Sequence, residues 1–462
     1  LSVAQTASKT GPSKRCNAID RLTHRSTVCQ IPSVEPDFES ESLMDEAEIA
    51  AAMAAVDQER QWSRLEAFGR LGAIAGNGVN RACLTPLDRE ARRLLIGWAE
   101  QAGAKASIDK ANNLWLRRPG QNDAMAPVLS GSHMDTQPAG GRFDGMYGVL
   151  AGLELLSALA DTKTVTQRPV EIVAWTNEEG SRFAPGCMGS MAWSGVRTIE
   201  SFAAITDHNG IRFSDALAEQ MAAEADLPLR ALGHVPHAYV EAHIEQGPLL
   251  EAEGLEIGVV TGIQGSRWFN VIIKGESAHA GTTPLALRRD AMQGMVQAVT
   301  ALNRLTEDPD DVLRFTVGRV SVLPNSSNSV ASEVRFSIDL RHPDAAVLKA
   351  RGDAVRPTIM GALRNVDAEI EESFTAAPAA FATDVIATIE AVAESAGFSH
   401  RRLASGAFHD AQFVVPICPT GMIFIPSHKG ISHNPAEYSS PEQLAAGTRV
   451  LVGTMLRLSG LS

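Results

Sequence analysis

The chain has 462 residues, of which 44% are hydrophobic and 21% charged. That is the make-up of a globular chain of roughly two or three domains, and it excludes a mainly disordered one. Lys and Arg number 41 against 54 Asp and Glu, a net charge of −13, which argues against nucleic acid or an anionic membrane as the main partner. No apolar run approaches the roughly 18–20 residues of a membrane span; the longest, around Phe413 to Ile425, is broken by Pro416 and Pro419. Cys16, Cys29, Cys83, Cys187 and Cys418 are odd in number, widely spaced and form no CxxC. They make neither a disulfide framework nor a sulfur-based zinc site, and they suit a reducing cytoplasm.

Residues 1–42 differ from the rest. The basic residues Lys9, Lys14, Arg15, Arg21 and Arg25 face one acid, Asp20, up to Val34; an acidic run then begins at Glu35. The segment shows no helical or strand period. Its basic, acid-poor start has the charge of a transit peptide without the amphipathic face. The reading is therefore a disordered or non-native extension, with Met44 a natural first residue.

Helical signals follow. Thr85 reads as an N-cap, with Pro86 at the first helical position and Gly103 at the end. Leu87, Ala91, Leu94, Leu95, Trp98 and Ala102 recur at helical spacing between them. Buried strands are expected at Pro127–Ser130, Val170–Trp175, Tyr239–Ile244 and Met422–Ile425, and a helix at Val149–Leu159. Strands alternating with helices indicate an α/β fold with a mainly parallel sheet. Between 261 and 372 the rhythm changes. Strands are expected at Trp268–Lys274, Leu313–Val322 and Val334–Leu340. Helices are expected from Thr283-Pro284 to Leu305 and from Pro343 to Leu363. This order marks a smaller inserted α+β domain. The catalytic domain would then comprise 43–260 and 373–462. Ser440-Pro441-Glu442-Gln443 is a capping box opening the last helix.

Four polar clusters sit at the ends of predicted strands. The densest is Gly131-Ser132-His133-Met134-Asp135 with Gly140-Gly141-Arg142-Phe143-Asp144-Gly145. Its glycines permit sharp turns and close approach. His133 offers an imidazole nitrogen, Asp144 two oxygens able to bridge two cations, and Asp135 a hold on the other nitrogen of His133. The second is Thr176-Asn177-Glu178-Glu179-Gly180, where one acid can bind metal and the other act as general base. The third is Glu241 to Pro248, containing His243. The fourth is Gly430 to Pro435, containing His433. Such a mixed nitrogen and oxygen set suits Zn²⁺, Mn²⁺, Co²⁺ or Ni²⁺ rather than Mg²⁺ or Ca²⁺. Two ions about 3.5–4 Å apart would clamp a water and a substrate oxygen.

The order His133-x-Asp135, Asp144, Glu178-Glu179, His243, His433 resembles the M20 family of two-metal peptidases and amidohydrolases. GSHMDTQPAGGRFDG, NEEGSRF, HIEQGP, AHAGTTP and GISHNPAE resemble its N-carbamoyl amino acid amidohydrolase branch, over roughly residues 45–460. The resemblance implies a parallel-sheet metallohydrolase domain carrying a smaller, ferredoxin-like lid and dimerisation domain. It implies that His133, Asp144 and His243 hold one divalent ion and that Asp144, Glu179 and His433 hold the other. Glu178 would be the general base, the ions would activate a water and polarise the carbamoyl oxygen, and the products would be amino acid, CO2 and ammonia.

His279 resembles the family histidine that stabilises the oxyanion in the partner subunit's site, which implies a homodimer. Asn328 and Arg341 resemble the pair that grips the substrate carboxylate. Gln246 would contact the ureido group, and Gly406 and His409 would line the same pocket. Phe408 stands where the branch usually carries glycine, a departure at that pocket. The expected activity is hydrolysis of N-carbamoyl-L-amino acids or of N-carbamoyl-β-alanine, the small-molecule ureido substrates that Asp135-Thr136-Gln137-Pro138 favours. The alternatives are allantoate amidohydrolase, with the same machinery, and a catalytically inactive binding protein of the same fold. HIEQGP and AHAGTTP lean away from peptidase or aminoacylase action.

Overall fold

The computed structural model describes residues 46–460. The expected extension over 1–42, with Cys16 and Cys29, and the start at Met44 lie outside the described residues. In chain order the first strands are β1 (Lys105–Ile108), β2 (Leu114–Arg118), β3 (Val128–His133), β4 (Val170–Trp175), β5 (Ala238–Ile244) and β6 (Ile257–Ile263). Next come β7 (Gly265–Lys274), β8 (Arg314–Thr316), β9 (Val320–Leu323), β10 (Glu333–His342) and β11 (Asp367–Ala376). The last are β12 (Ala379–Ala380), β13 (His400–Ser405) and β14 (Thr420–Ile425).

A nine-stranded sheet has the order β1-β2-β4-β3-β5-β14-β6-β12, with β13 also on β6. Its middle four strands, β4, β3, β5 and β14, run parallel. Every residue of these strands is buried, as continuous apolar runs in a two-sided parallel sheet require. The flanks bring in antiparallel pairs, β1 with β2, β2 with β4, and β14 with β6, while β13 lies parallel to β6; the strand pattern alone did not disclose the antiparallel pairs. Helix Met146–Thr162 is buried from Met146 through Leu159, so it is enclosed on every side rather than amphipathic, with its one buried charge, Glu154, paired to Arg60 and Arg64. It packs on β3 and β5 and against the last helix, Pro441–Ser459.

The caps read from sequence are formed. Thr85 Oγ1 accepts from Asp88 N at 3.3 Å and opens helix Pro86–Gln101. Ser440 and Gln443 close a full capping box.

Residues 265–376 build a separate five-stranded antiparallel sheet of order β11-β7-β10-β8, with β9 also on β10. Helices Ala291–Leu305 and Ala345–Ala362 pack on it and on each other. One sheet face buries Phe269, Val271, Ile338 and Leu340 in a core distinct from the main one. This is the ferredoxin-like arrangement expected. Three details differ. The first helix opens at Ala291 under an Asp290 cap, not at Thr283-Pro284. Arg288 holds the preceding loop by donating to the carbonyls of Ala280 and Thr283. The expected strand Leu313–Val322 breaks into β8 and β9 around Gly318. β11 was not foreseen, and it runs across the expected boundary at 372.

Candidate metal centre and active site

Because β3, β4, β5 and β14 are parallel, their carboxyl ends share one edge, where open α/β sheets place ligands. His133 is the last residue of β3, Glu178 and Glu179 follow β4, His243 is the penultimate residue of β5, and His433 lies in the loop after β14. Asp144 enters from the loop after β3. Its neighbour Gly145 has φ +65°, and a Cβ there would lie well inside contact distance of the His133 ring. Glycine is therefore required where this loop crosses His133.

Asp144 is the hub. Its Oδ1 lies 3.3 Å from His243 Nε2 and 3.7 Å from His133 Nε2, and its Oδ2 lies 3.2 Å from His433 Nε2. His433 Nε2 is also 3.4 Å from Glu179 Oε2. Two groups of convergent donor atoms share Asp144: His133, Asp144 and His243, and Asp144, Glu179 and His433; a third, Glu241, His243 and His409, does not include it. The donor chemistry fits a cation. Nδ1 of His133 donates to the Asp135 carbonyl at 3.0 Å, and Nδ1 of His243 to the Ile244 carbonyl at 2.9 Å. In the neutral rings the Nε2 lone pair of His133 then faces the Asp144 carboxylate, and that of His243 lies 3.3 Å from it while accepting from Gly145 N at 3.2 Å, a crowding of acceptors that a positive charge between them relieves. Asp144 resists the upward push of burial because His133, His243 and His433 hold its pKa well below the usual range. His433, bonded to Asp144, is raised to about 9.

Asp135 acts differently from the expectation. Its carbonyl, not its carboxylate, takes the His133 Nδ1 proton; the carboxylate oxygen is 3.7 Å away. The carboxylate instead accepts from the backbone N–H groups of Glu178 at 3.1 Å and Glu179 at 3.2 Å. It thereby fixes the turn that aims both acids. Glu178 Oε2 sits 3.5 Å from His133 Nε2, beside the ligand groups. Glu179 is oriented by Gln137, whose backbone N–H and side-chain amide both donate to it.

Of the expected substrate residues, Gln246 is at the centre. Its Nε2 donates to Asp144 Oδ2 at 2.8 Å, and its buried Oε1 has no hydrogen-bond partner among the described residues. His409 does not face open space. It is 2% exposed, bonded to Ser405 Oγ, and its ring stands edge-on to His243 at 4.4 Å. Burial, then the charge of His243, push its pKa well below the usual range, so it is neutral.

Arg341 is bidentate on Asp339 and donates to the Gly406 carbonyl at 2.8 Å. Asn328 pairs instead with the His279 loop, its carbonyl accepting from Ala280 N. His279 is exposed, and its Nδ1 accepts from Gly281 N and Thr282 N, which places the neutral ring's proton on Nε2. Asn328 precedes β10 and Arg341 lies near its end, a span on the order of 25 Å for an extended strand. One subunit does not bring the two onto one carboxylate.

Glu437 was missed. It is 5% exposed, and its Oε1 accepts from Phe143 N and Asp144 N at 2.9 and 3.0 Å. Ser432 Oγ lies 3.0 Å from both Glu437 Oε2 and Asp144 Oδ2. The signal was an acid four residues past His433 in the GISHNPAE segment. Cys187, which belongs to none of the four polar clusters, brings its thiol to 3.5 Å from Glu178 Oε1.

Residues 129–457 match Peptidase family M20/M25/M40. The chain is 39% identical over 405 residues to the N-carbamoyl-L-amino-acid amidohydrolase of Rhizobium meliloti, covering 87% of this chain and 96% of that one. It is 34% identical to the allantoate amidohydrolase of Escherichia coli (strain K12), covering 88% and 98%. Among solved structures, an amidase of the hydantoinase/carbamoylase family from Burkholderia multivorans superposes with a TM-score of 0.84 at 41% identity, covering 87% and 98%. With its metal-type donor groups set at the ends of parallel strands, the chain belongs to peptidase family M20/M25/M40.

Proposed function

We propose that this protein hydrolyses the carbamoyl C–N bond of N-carbamoyl-L-amino acids, giving the amino acid, CO2 and ammonia. The observation that carries the reaction type is Asp144, shared by two donor groups, with the Glu178 carboxylate beside them. The substrate class follows from the relatives of that name. His133, Asp144 and His243 would hold one divalent ion, and Asp144, Glu179 and His433 a second, as Zn²⁺, Mn²⁺, Co²⁺ or Ni²⁺. Bound there, such ions supply Lewis acidity to the carbamoyl oxygen and an acidified water.

The chain's own residues do the rest. Glu178 takes a proton from the attacking water and returns it to the leaving amino nitrogen. Asp135 keeps that carboxylate aimed by holding its backbone. The free Oε1 of Gln246 is suited to accept from a ureido N–H. Arg341 offers a fork to the substrate carboxylate, exchanging Asp339 for it. His279 and Asn328 would serve the site of a second copy in a homodimer, His279 donating Nε2–H to the developing oxyanion. The separation of Asn328 from Arg341 along β10 supports that division. The free thiols of Cys83, Cys187 and Cys418 support a reducing compartment, proposed to be the cytoplasm. No helix among the described residues is long and apolar enough to cross a membrane.

Ammonia release after chelation and reloading with Mn²⁺, Zn²⁺, Co²⁺ or Ni²⁺ tests the proposal. The panel is several N-carbamoyl-L-α-amino acids, N-carbamoyl-β-alanine and allantoate. Metal-restored turnover of an N-carbamoyl-L-amino acid is the expected result. Turnover of allantoate alone would favour the activity of the Escherichia coli relative. Silence on all three with metal bound would overturn the substrate class.

A further inference from the structure

The small sheet presents an aromatic surface that the chemistry above does not use. Trp268 on β7 and Phe374 on β11 are register partners, with ring centroids 4.7 Å apart. They are 39% and 38% exposed. Phe374 meets Phe408 edge-on at 5.9 Å. Phe408 is followed by His409, whose ring packs on His243. The three rings therefore lead from the small sheet to the metal-type donor groups.

Arg341 borders this surface. Trp268 pairs with Asp339 and Ser266 with Arg341 across β7 and β10, so these four residues share one sheet face. The other face is the one that buries Phe269, Val271, Ile338 and Leu340. The Arg341 guanidinium stands 5.7 Å from the centre of the Phe408 ring while bonded to the Gly406 carbonyl. A cation thus sits at the rim of a half-exposed aromatic surface. Large rings left in water beside a carboxylate-binding group are informative where scattered apolar residues are not.

We propose that Trp268, Phe374 and Phe408 receive the substrate side chain, so that the enzyme prefers N-carbamoyl derivatives of α-amino acids bearing an aryl or similarly large apolar group. This rests on the reaction proposed above and on Arg341 taking the carboxylate. In an α-amino acid the carboxylate and the side chain leave the same carbon. Anchoring the carboxylate at the rim of the rings directs the side chain onto them, where ring edges and faces pack favourably. Glycine and β-alanine have no side chain to cover these rings.

The test is kcat/KM for N-carbamoyl-L-phenylalanine, N-carbamoylglycine and N-carbamoyl-β-alanine on the metal-loaded enzyme and on Trp268→Ala, Phe374→Ala and Phe408→Ala. The wild type is expected to prefer the phenylalanine derivative to the glycine one by about 10- to 200-fold. Trp268→Ala and Phe408→Ala are each expected to shrink that ratio about tenfold, chiefly through KM for the phenylalanine derivative. A wild type that turns over N-carbamoylglycine or N-carbamoyl-β-alanine better overturns the inference while leaving the reaction intact, whatever the variants do. Equal losses on all substrates also overturn it, and make the rings a packing contact between the small sheet and the 406–408 loop. Turnover of no ureide at all overturns the reaction and this inference with it.

Discussion

Glu178 is a carboxylate in an acidic, buried setting. Burial raises its pKa well above the usual range; His133 opposes that, while Asp410 and Glu179 add to it. Its backbone is pinned by Asp135, and Cys187 closes on it from the other side, with Cys187 N donating to the Glu178 carbonyl at 2.9 Å. Glu178→Gln keeps this packing and removes only the ability to accept a proton. Turnover is expected to fall about 10²- to 10⁴-fold while metal content, measured on the same preparation, stays at the wild-type value. Loss of metal from the variant would make Glu178 a ligand instead. The candidate ligands were legible because each ends or follows a buried apolar run, and such runs end at one edge of a parallel sheet. Glu437 and the Cys187 contact were not. Glu437 reaches Phe143 from a loop 294 residues away, and Cys187, nine positions on from Glu178, reaches it because the loop between them folds back, and no local period encodes either contact.

At the scale of elements, the first long helix is tied to the 213–223 helix by a buried ion pair. Arg92 Nε and Nη2 bond Glu224 Oε1 and Oε2 at 2.7 and 2.8 Å, with side chains 4% and 0% exposed. Asn112 and Gln220 donate to the same carboxylate. Glu224→Ala strands a guanidinium away from water, so unfolding in denaturant is expected to show a loss of about 3–5 kcal/mol. Arg92→Met combined with Glu224→Leu removes both charges and is expected to recover much of that loss. If the single variant cost less than about 1 kcal/mol, the pair would be behaving as a solvated one. Helices with a side-chain cap at a Pro or capping-box start, Thr85 and Ser440, were legible to the residue. The Asp290 start was not, because Thr283-Pro284 carries the same cap signature and only the Arg288 bonds reveal that stretch as a loop. β11 escaped because only Ile370 of its residues is buried. An edge strand with so little apolar surface lacks the alternation by which strands are read.

The whole molecule carries a net charge of −13, and its response to acid turns on which carboxylates are held ionised. Glu171 in β4 is one. Burial pushes its pKa up, but the hydrogen bond to His234 at 2.9 Å and then Arg230 and Arg117 outweigh burial and lower it to about 2. A carboxyl depressed on folding stabilises the fold above its unfolded pKa of about 4.3, and that contribution disappears as the pH falls toward 2, about 3 kcal/mol in all. Denaturant midpoints of the wild type should therefore drop through this window relative to Glu171→Gln, with the two curves converging near pH 2. A constant offset between them would mean that the Glu171 charge does not differ between folded and unfolded states.

The proposed homodimer makes a sharper demand at this scale. If His279 serves the site of a second copy, His279→Ala and Glu178→Gln damage the same site from different chains. In a mixed dimer the site that keeps Glu178 receives its histidine from the Glu178→Gln chain, and the other site is dead. Random reassortment of two separately inactive variants should thus restore about a quarter of wild-type turnover. Dilution into mild denaturant followed by refolding of the 1:1 mixture, with each variant refolded alone as control, provides the measurement. No recovery from a mixture shown to exchange subunits would return His279 to its own chain's site. The small sheet would then have to bring the 279 and 328 loops to Asp144 by moving, since among the described residues the His279 ring bonds to the backbone of its own loop.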